Sequence, residues 1–146
     1  MREVLIKAAM AVLALLAAAA TAPSRAQAPT QAQAPAAADG KALFMKNCAA
    51  CHQASGKGIP GAFPALAGSK FVQGKSADVA AVLLKGRGGM PDFSDSLSDA
   101  DIATILSFVR GGWGNQAGAL SEAEVAALRV TLQVEPFSDG QLSNKH

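Results

Sequence analysis

The chain has no tyrosine, one tryptophan, two cysteines and two histidines in 146 residues. Two cysteines cannot supply the disulfide framework of a small secreted domain. Both lie in one short stretch, at Cys48 and Cys51. A four-coordinate structural zinc site needs a second pair of ligands, and beyond His52 the remaining histidine is the terminal His146. The apolar run from Ala8 to Ala20 has 13 residues, too few to cross a bilayer comfortably as a helix.

What the chain does contain is Cys48-Ala49-Ala50-Cys51-His52. Two thiols three positions apart, followed at once by an imidazole, form the spacing for covalent haem attachment. Each cysteine sulfur adds to one haem vinyl group to give a thioether. The turn between them then directs His52 at the iron from one face. Three other readings compete. A thioredoxin-like centre needs a strand before the pair and a βαβ context, and neither is evident. Half a zinc site lacks its other half, and a disulfide across so short a loop is strained. The motif occurs once, so one haem is expected.

Arg2 and Lys7 precede the apolar run, and the small-residue site Ser24-Arg25-Ala26 follows it. This is the pattern of a secretory signal peptide, expected over residues 1–26, with cleavage after Ala28 or an uncleaved anchor as alternatives. No cysteine stands near the cleavage site, so no lipid-modified N-terminus is expected. Export agrees with haem attachment, which takes place on the outer side of a bacterial inner membrane, and the expected location is the periplasm. Residues 27–38, rich in Pro, Ala and Gln, read as a flexible leader. The domain is expected over 39–130 and a loosely held tail over 131–146.

Asp39 can cap a helix starting at Gly40 and running into the haem motif. Residues 53–68 form an apolar loop with Ile59, Phe63 and Leu66, and such a loop must cover something. Ser76 opens a helix with Val79, Val82 and Leu83 at helical spacing, and Gly86 ends it. The stretch Gly86-Arg87-Gly88-Gly89-Met90-Pro91 follows. Its glycines let the backbone approach a flat ligand closely, and Pro91 restricts Met90 to an extended conformation. A thioether is a soft ligand for haem iron and raises its potential; the alternative for Met90 is core filling. Met1 and Met10 fall in the signal, and Met45 lies on the attachment-side helix. Met90 is therefore the candidate sixth ligand. Ser98 to Asp101 reads as a capping box, followed by Ile102, Ile105, Leu106 and Val109 on one helical face. Arg110 suits the C-terminus of that helix, and Gly111-Gly112 stops it. Trp113 either covers a haem edge or seals the core. One more short helix, capped by Ser121 to Glu124, carries Val125 and Leu128.

Over Asp39 to Trp113 the order of these features resembles the class I c-type cytochromes. The resemblance implies an all-α cytochrome c fold, with three main helices and loops wrapping one covalently bound haem c and its iron. It implies that Gly40 and Phe44 meet Ile105 and Phe108 where the first and last helices cross. It further implies that Pro64 lends its carbonyl to the second ring nitrogen of His52, a bond that fixes the ring and tunes the metal. The segments FPALAGS, GRGGMPDF, LSDADIATILSFVR and WGN are similar to small cytochrome subunits or partners of periplasmic dehydrogenases and oxidases.

The expected function is one-electron transfer rather than catalysis. Cys48 and Cys51 tether the haem, His52 and Met90 are the axial ligands, and Pro64 is the supporting residue. A haem enzyme or gas sensor with an open sixth position is the alternative, but neither a tyrosine nor a second internal histidine is present to serve it. The partner is expected to be a redox protein, either a periplasmic dehydrogenase or an oxidase. No nucleic acid is expected, and no membrane unless the signal is uncleaved. From Lys41 to Met90 there are seven basic residues and one acid, whereas from Pro91 onward there are three basic residues and eight acids. This asymmetry suggests a positive rim around the haem edge; a solvated surface without a directional role is the alternative.

Overall fold

The computed structural model describes residues 36–138. The expected signal peptide, most of the leader, and residues 139–146 with His146 lie outside the described residues. Five helices run in order: α1 (Ala36–Asn47), α2 (Ala49–His52), α3 (Ser76–Lys85), α4 (Asp99–Gly111) and α5 (Glu122–Leu132). Among the described residues there is no strand, only isolated bridges between Ile59 and Phe63 and between Arg87 and Met90. The all-α fold is as expected, with two helices beyond the three main ones: the short α2 and the C-terminal α5.

Helix α1 opens at Ala36, so Asp39 sits in its first turn instead of capping it. The three alanines before Asp39 are the best helix formers available and carry the helix back past the acid. The acid still favours that end, because a carboxylate complements the positive pole of the helix. Helix α3 begins at Ser76, with Lys75 at its N-cap and no side-chain cap. The Gly86 N–H donates to the Val82 carbonyl at 2.8 Å to close the helix. Both later helices carry capping boxes, Ser98 with Asp101 and Ser121 with Glu124. The hydrogen bonds that Glu124 accepts from the Ser121 backbone and hydroxyl hold its carboxyl below the ordinary value.

α1 packs against α4, and α5 packs against both α3 and α4. The core runs through Phe44, Val79, Leu84, Ile102, Ile105, Leu106 and Val125, all nearly inaccessible to solvent. At the α1–α4 crossing, a Cβ on Gly40 would stand 2.7 Å from the Cβ of Phe108 and 2.8 Å from the Thr104 carbonyl oxygen. Hydrogen at this position is what lets the two backbones approach. Phe44, Phe108 and Trp113 close around the crossing with ring centroids 4.9 to 5.7 Å apart in tilted and edge-on arrangements. Trp113 therefore belongs to the aromatic seal of the core.

Arg110 stands in the last turn of its helix, as expected, and does more than complement that end. It is buried, and its guanidinium donates to the carbonyls of Val72 (2.6 Å), Gly74 (3.0 Å) and Gly118 (2.9 Å). The first residues past 130 are held too. Helix α5 extends to Leu132, the Val134 N–H donates to the Arg129 carbonyl, and Val134 packs against the core.

A Gly40→Ala substitution tests the crossing. Helix propensity alone favours alanine by about 0.5–1 kcal/mol, whereas overpacking against a fixed backbone costs about 1–3 kcal/mol. The expected net result is a lower denaturant midpoint for the haem-loaded protein at unchanged slope. A raised midpoint contradicts the close crossing.

Candidate functional site

Cys48 occupies the N-cap of α2, and Cys51 and His52 follow within its single turn. Residues at i, i+3 and i+4 share one helical face, so this turn presents both thiols and the imidazole in the same direction. Hydrogen bonds from the Cys51 and His52 amides to the Cys48 carbonyl, at 3.2 and 2.9 Å, hold the turn. The cysteines are half-buried and unpaired with each other by any disulfide. Burial, with the neighbouring Cys51 adding to it, pushes the Cys48 thiol up to about 11, so the free side chain is a neutral thiol at pH 7.

His52 is buried, and its Nδ1 stands 3.0 Å from the Pro64 carbonyl oxygen. A carbonyl can only accept, so Nδ1 carries the hydrogen. The lone pair of the neutral ring is then on Nε2, free to bind a metal. The loop that delivers Pro64 is tightly folded. The Gly58 N–H donates to the His52 carbonyl at 3.0 Å, and Gly58 has φ +64°, with a Cβ there falling 2.6 Å from the Pro64 oxygen and onto the Phe63 oxygen. Only glycine permits this approach.

Met90 is delivered from the other side of the chain's midpoint by a tight turn. Arg87 and Met90 exchange N–H to carbonyl bonds, both 3.1 Å. The Phe93 N–H donates to the Leu83 carbonyl at 2.7 Å, pinning the exit of this loop to α3. Met90 is half-buried and packs on the core.

These pieces converge on one crevice. One part of it is lined by Cys48, His52, Pro64 and Met90, with walls from Leu66, Val79, Leu83, Ile105 and Val109. A second cavity shares Cys48, His52, Pro64 and Met90 and adds Cys51. All five residues singled out in the sequence thus border the same space. Its walls are aliphatic and aromatic, as a flat apolar macrocycle requires. Among the described residues, Arg87 is the only permanently charged side chain on the wall of either cavity. Its guanidinium lies 4.4 Å from the centre of the Phe71 ring, a cation–π placement. The donor set, two thiols, an imidazole with a free Nε2 and a thioether, fits a haem c with its iron.

The comparisons agree. Residues 35–109, just over half the chain, match the family model described as cytochrome c oxidase, cbb3-type, subunit III. The chain belongs to this family of c-type cytochromes. It is also similar to cytochrome c-552 of Thermus thermophilus, 61% identical over 31 residues, which are 21% of this chain and 23% of that one. A cytochrome c-552 from a named strain of the same species matches at the same identity and length, over 20% of its own chain. The matched stretch therefore spans about a fifth of these curated relatives. The cofactor of the protein, as a monohaem c-type cytochrome, is covalently bound haem c with its iron.

Sequence reasoning missed one residue that shapes this site. Asn115 is almost fully buried. Its Oδ1 accepts from the Gly68 N–H at 2.9 Å, and its Nδ2 donates to the Leu66 and Val109 carbonyls at 3.0 and 2.9 Å. It thereby fastens the end of the Pro64 loop to the end of α4. The only signal was its position in WGN, which carries no chemistry by itself. An Asn115→Asp substitution keeps the shape and the bond from Gly68 but replaces both donations with carboxylate facing carbonyl. Leaving buried groups unpaired costs about 1–3 kcal/mol each. The expected outcome is a loss of at least ~2 kcal/mol in denaturant unfolding at pH 7, and an unchanged midpoint contradicts it.

Proposed function

We propose that this cytochrome is a periplasmic one-electron carrier in which Cys48 and Cys51 tether the haem and His52 and Met90 are its axial ligands. One observation carries the reading. An imidazole whose Nδ1 is committed to Pro64 and a thioether set by a tight turn border one apolar cavity together with the two thiols. The haem iron supplies the redox change between ferrous and ferric states. The chain supplies the rest. His52 and Met90 would hold the iron in both states, which would keep reorganisation small. The aliphatic walls exclude water, and Arg87 is the cation available to a haem carboxylate. With His52 and Met90 both holding the iron, no position would be left for oxygen or peroxide, which is why we favour electron transfer over catalysis.

The export pattern in residues 1–26 supports a periplasmic location. Among the described residues no helix is long and apolar enough to cross a membrane. The partner we infer is a dehydrogenase or an oxidase; the family is named for a subunit of a terminal oxidase. The basic residues from Lys41 to Arg87 are all exposed, which supports an acidic docking face on that partner.

Replacing Met90 with alanine is expected to lower the reduction potential and to open the sixth position, so that the ferrous variant binds carbon monoxide rapidly whereas the parent does not. An unchanged potential removes Met90 from the role. Rapid carbon monoxide binding by the parent instead favours a sensor or enzyme. Electron transfer with the physiological partner is expected to slow as ionic strength rises, because steering between opposite charges is screened within about 10 Å at 0.1 M salt. Rates independent of salt contradict the charged docking face.

A further inference from the structure

The family match ends at residue 109, yet the chain continues into α5, whose most buried polar residue is Arg129 at 3% exposure. A guanidinium is taken out of water only where its donors are matched. Arg129 is bonded on all sides. Nε pairs with the Asp99 carboxylate in the first turn of α4. Nη1 donates to the carbonyls of Ser94 at 3.0 Å and Glu135 at 3.1 Å, and Nη2 to that of Leu97 at 3.0 Å.

Two of these carbonyls belong to the segment that leads out of the Met90 turn. Ser94 is buried, and its hydroxyl donates to the Asp92 carboxylate at 2.9 Å. Asp92 is two residues beyond Met90. The Leu97 N–H in turn donates to the Phe93 carbonyl at 3.0 Å, and the Phe93 N–H to Leu83. A continuous set of hydrogen bonds thus runs from Arg129 through Ser94 to Asp92, next to Pro91 and Met90. Without Arg129 the buried Ser94 and Leu97 carbonyls lose this partner, and the exit of the loop loses its hydrogen bonds to α5 while keeping the Phe93–Leu83 bond to α3.

We propose that Arg129 is a positioning residue for Met90: α5 braces the exit of the methionine loop and so sets how readily the thioether is displaced from iron. The inference rests on Met90 being the sixth ligand. It assigns to the C-terminal helix a role in the redox site that it does not touch.

The test is displacement of Met90 by imidazole in the ferric, haem-loaded protein, followed by loss of the weak far-red band of an iron–methionine bond. Arg129→Gln is expected to lower the imidazole concentration for half-displacement about tenfold, which corresponds to ~1.4 kcal/mol, within the range of one net intramolecular hydrogen bond. Arg129→Lys is expected to fall between the parent and Arg129→Gln. Val125→Ala is the control. It cuts a fully buried side chain of α5 and lowers stability while leaving the guanidinium contacts in place, so half-displacement is expected to stay near the parent value. Should Arg129→Gln fail to fold, Ser94→Ala breaks the link to Asp92 alone, and a severalfold drop is expected. An unchanged half-displacement in whichever of these two variants is measured overturns the proposal, as does an equal drop in Val125→Ala. A parent protein without the far-red band overturns the ligand assignment itself and this inference with it, an outcome separate from any behaviour of the variants.

Discussion

The hydrogen bond between His52 Nδ1 and the Pro64 carbonyl, 3.0 Å long, is the constraint on which the site depends. It spans twelve positions of sequence and fixes three things together. It selects the ring tautomer that leaves Nε2 free. It sets the direction in which the imidazole faces the crevice. It also anchors the loop from Gln53 to Gly68, which has no regular structure of its own, at the point where it passes the ligand. Gly58, with a left-handed backbone and no Cβ, is what lets the Pro64 carbonyl come this close.

The same economy governs the rest of the fold. About half of the described chain lies outside helices, and buried loop carbonyls must find donors. Three buried side chains provide them: Asn115 to Leu66 and Val109, Arg110 to Val72, Gly74 and Gly118, and Arg129 to Ser94, Leu97 and Glu135. Each joins a loop that borders or leads from the crevice to the C-terminal half of the chain. The helices supply the apolar walls, and these three polar residues fix where the loops lie against them.

The helices were legible because periodicity and caps are local. Ile102, Ile105, Leu106 and Val109 specify the buried face of α4, and both capping boxes are read directly from Ser-x-x-Asp and Ser-x-x-Glu. The five site residues were legible for a different reason: Cys48, Cys51 and His52 are close in sequence, Met90 is fixed between glycines and a proline, and Pro64 came through family resemblance. Arg110 and Arg129 were not legible. A helix-terminal arginine reads as a solvated charge, and most of its acceptors here are backbone carbonyls more than 30 residues away in sequence, which leave no trace in residue identity. The start of α1 was misplaced because Asp39 is a good N-cap by type, but three preceding alanines extend the helix beyond it.

The measurement that tests the central claim most directly is the absorption spectrum of the purified, haem-loaded protein in both oxidation states, extended into the far red. Ligation by His52 and Met90 predicts sharp reduced bands of a low-spin haem c and, in the ferric state, the weak far-red band of an iron–methionine sulfur bond. A high-spin ferric spectrum without that band contradicts it and leaves Met90 a packing residue beside an open iron.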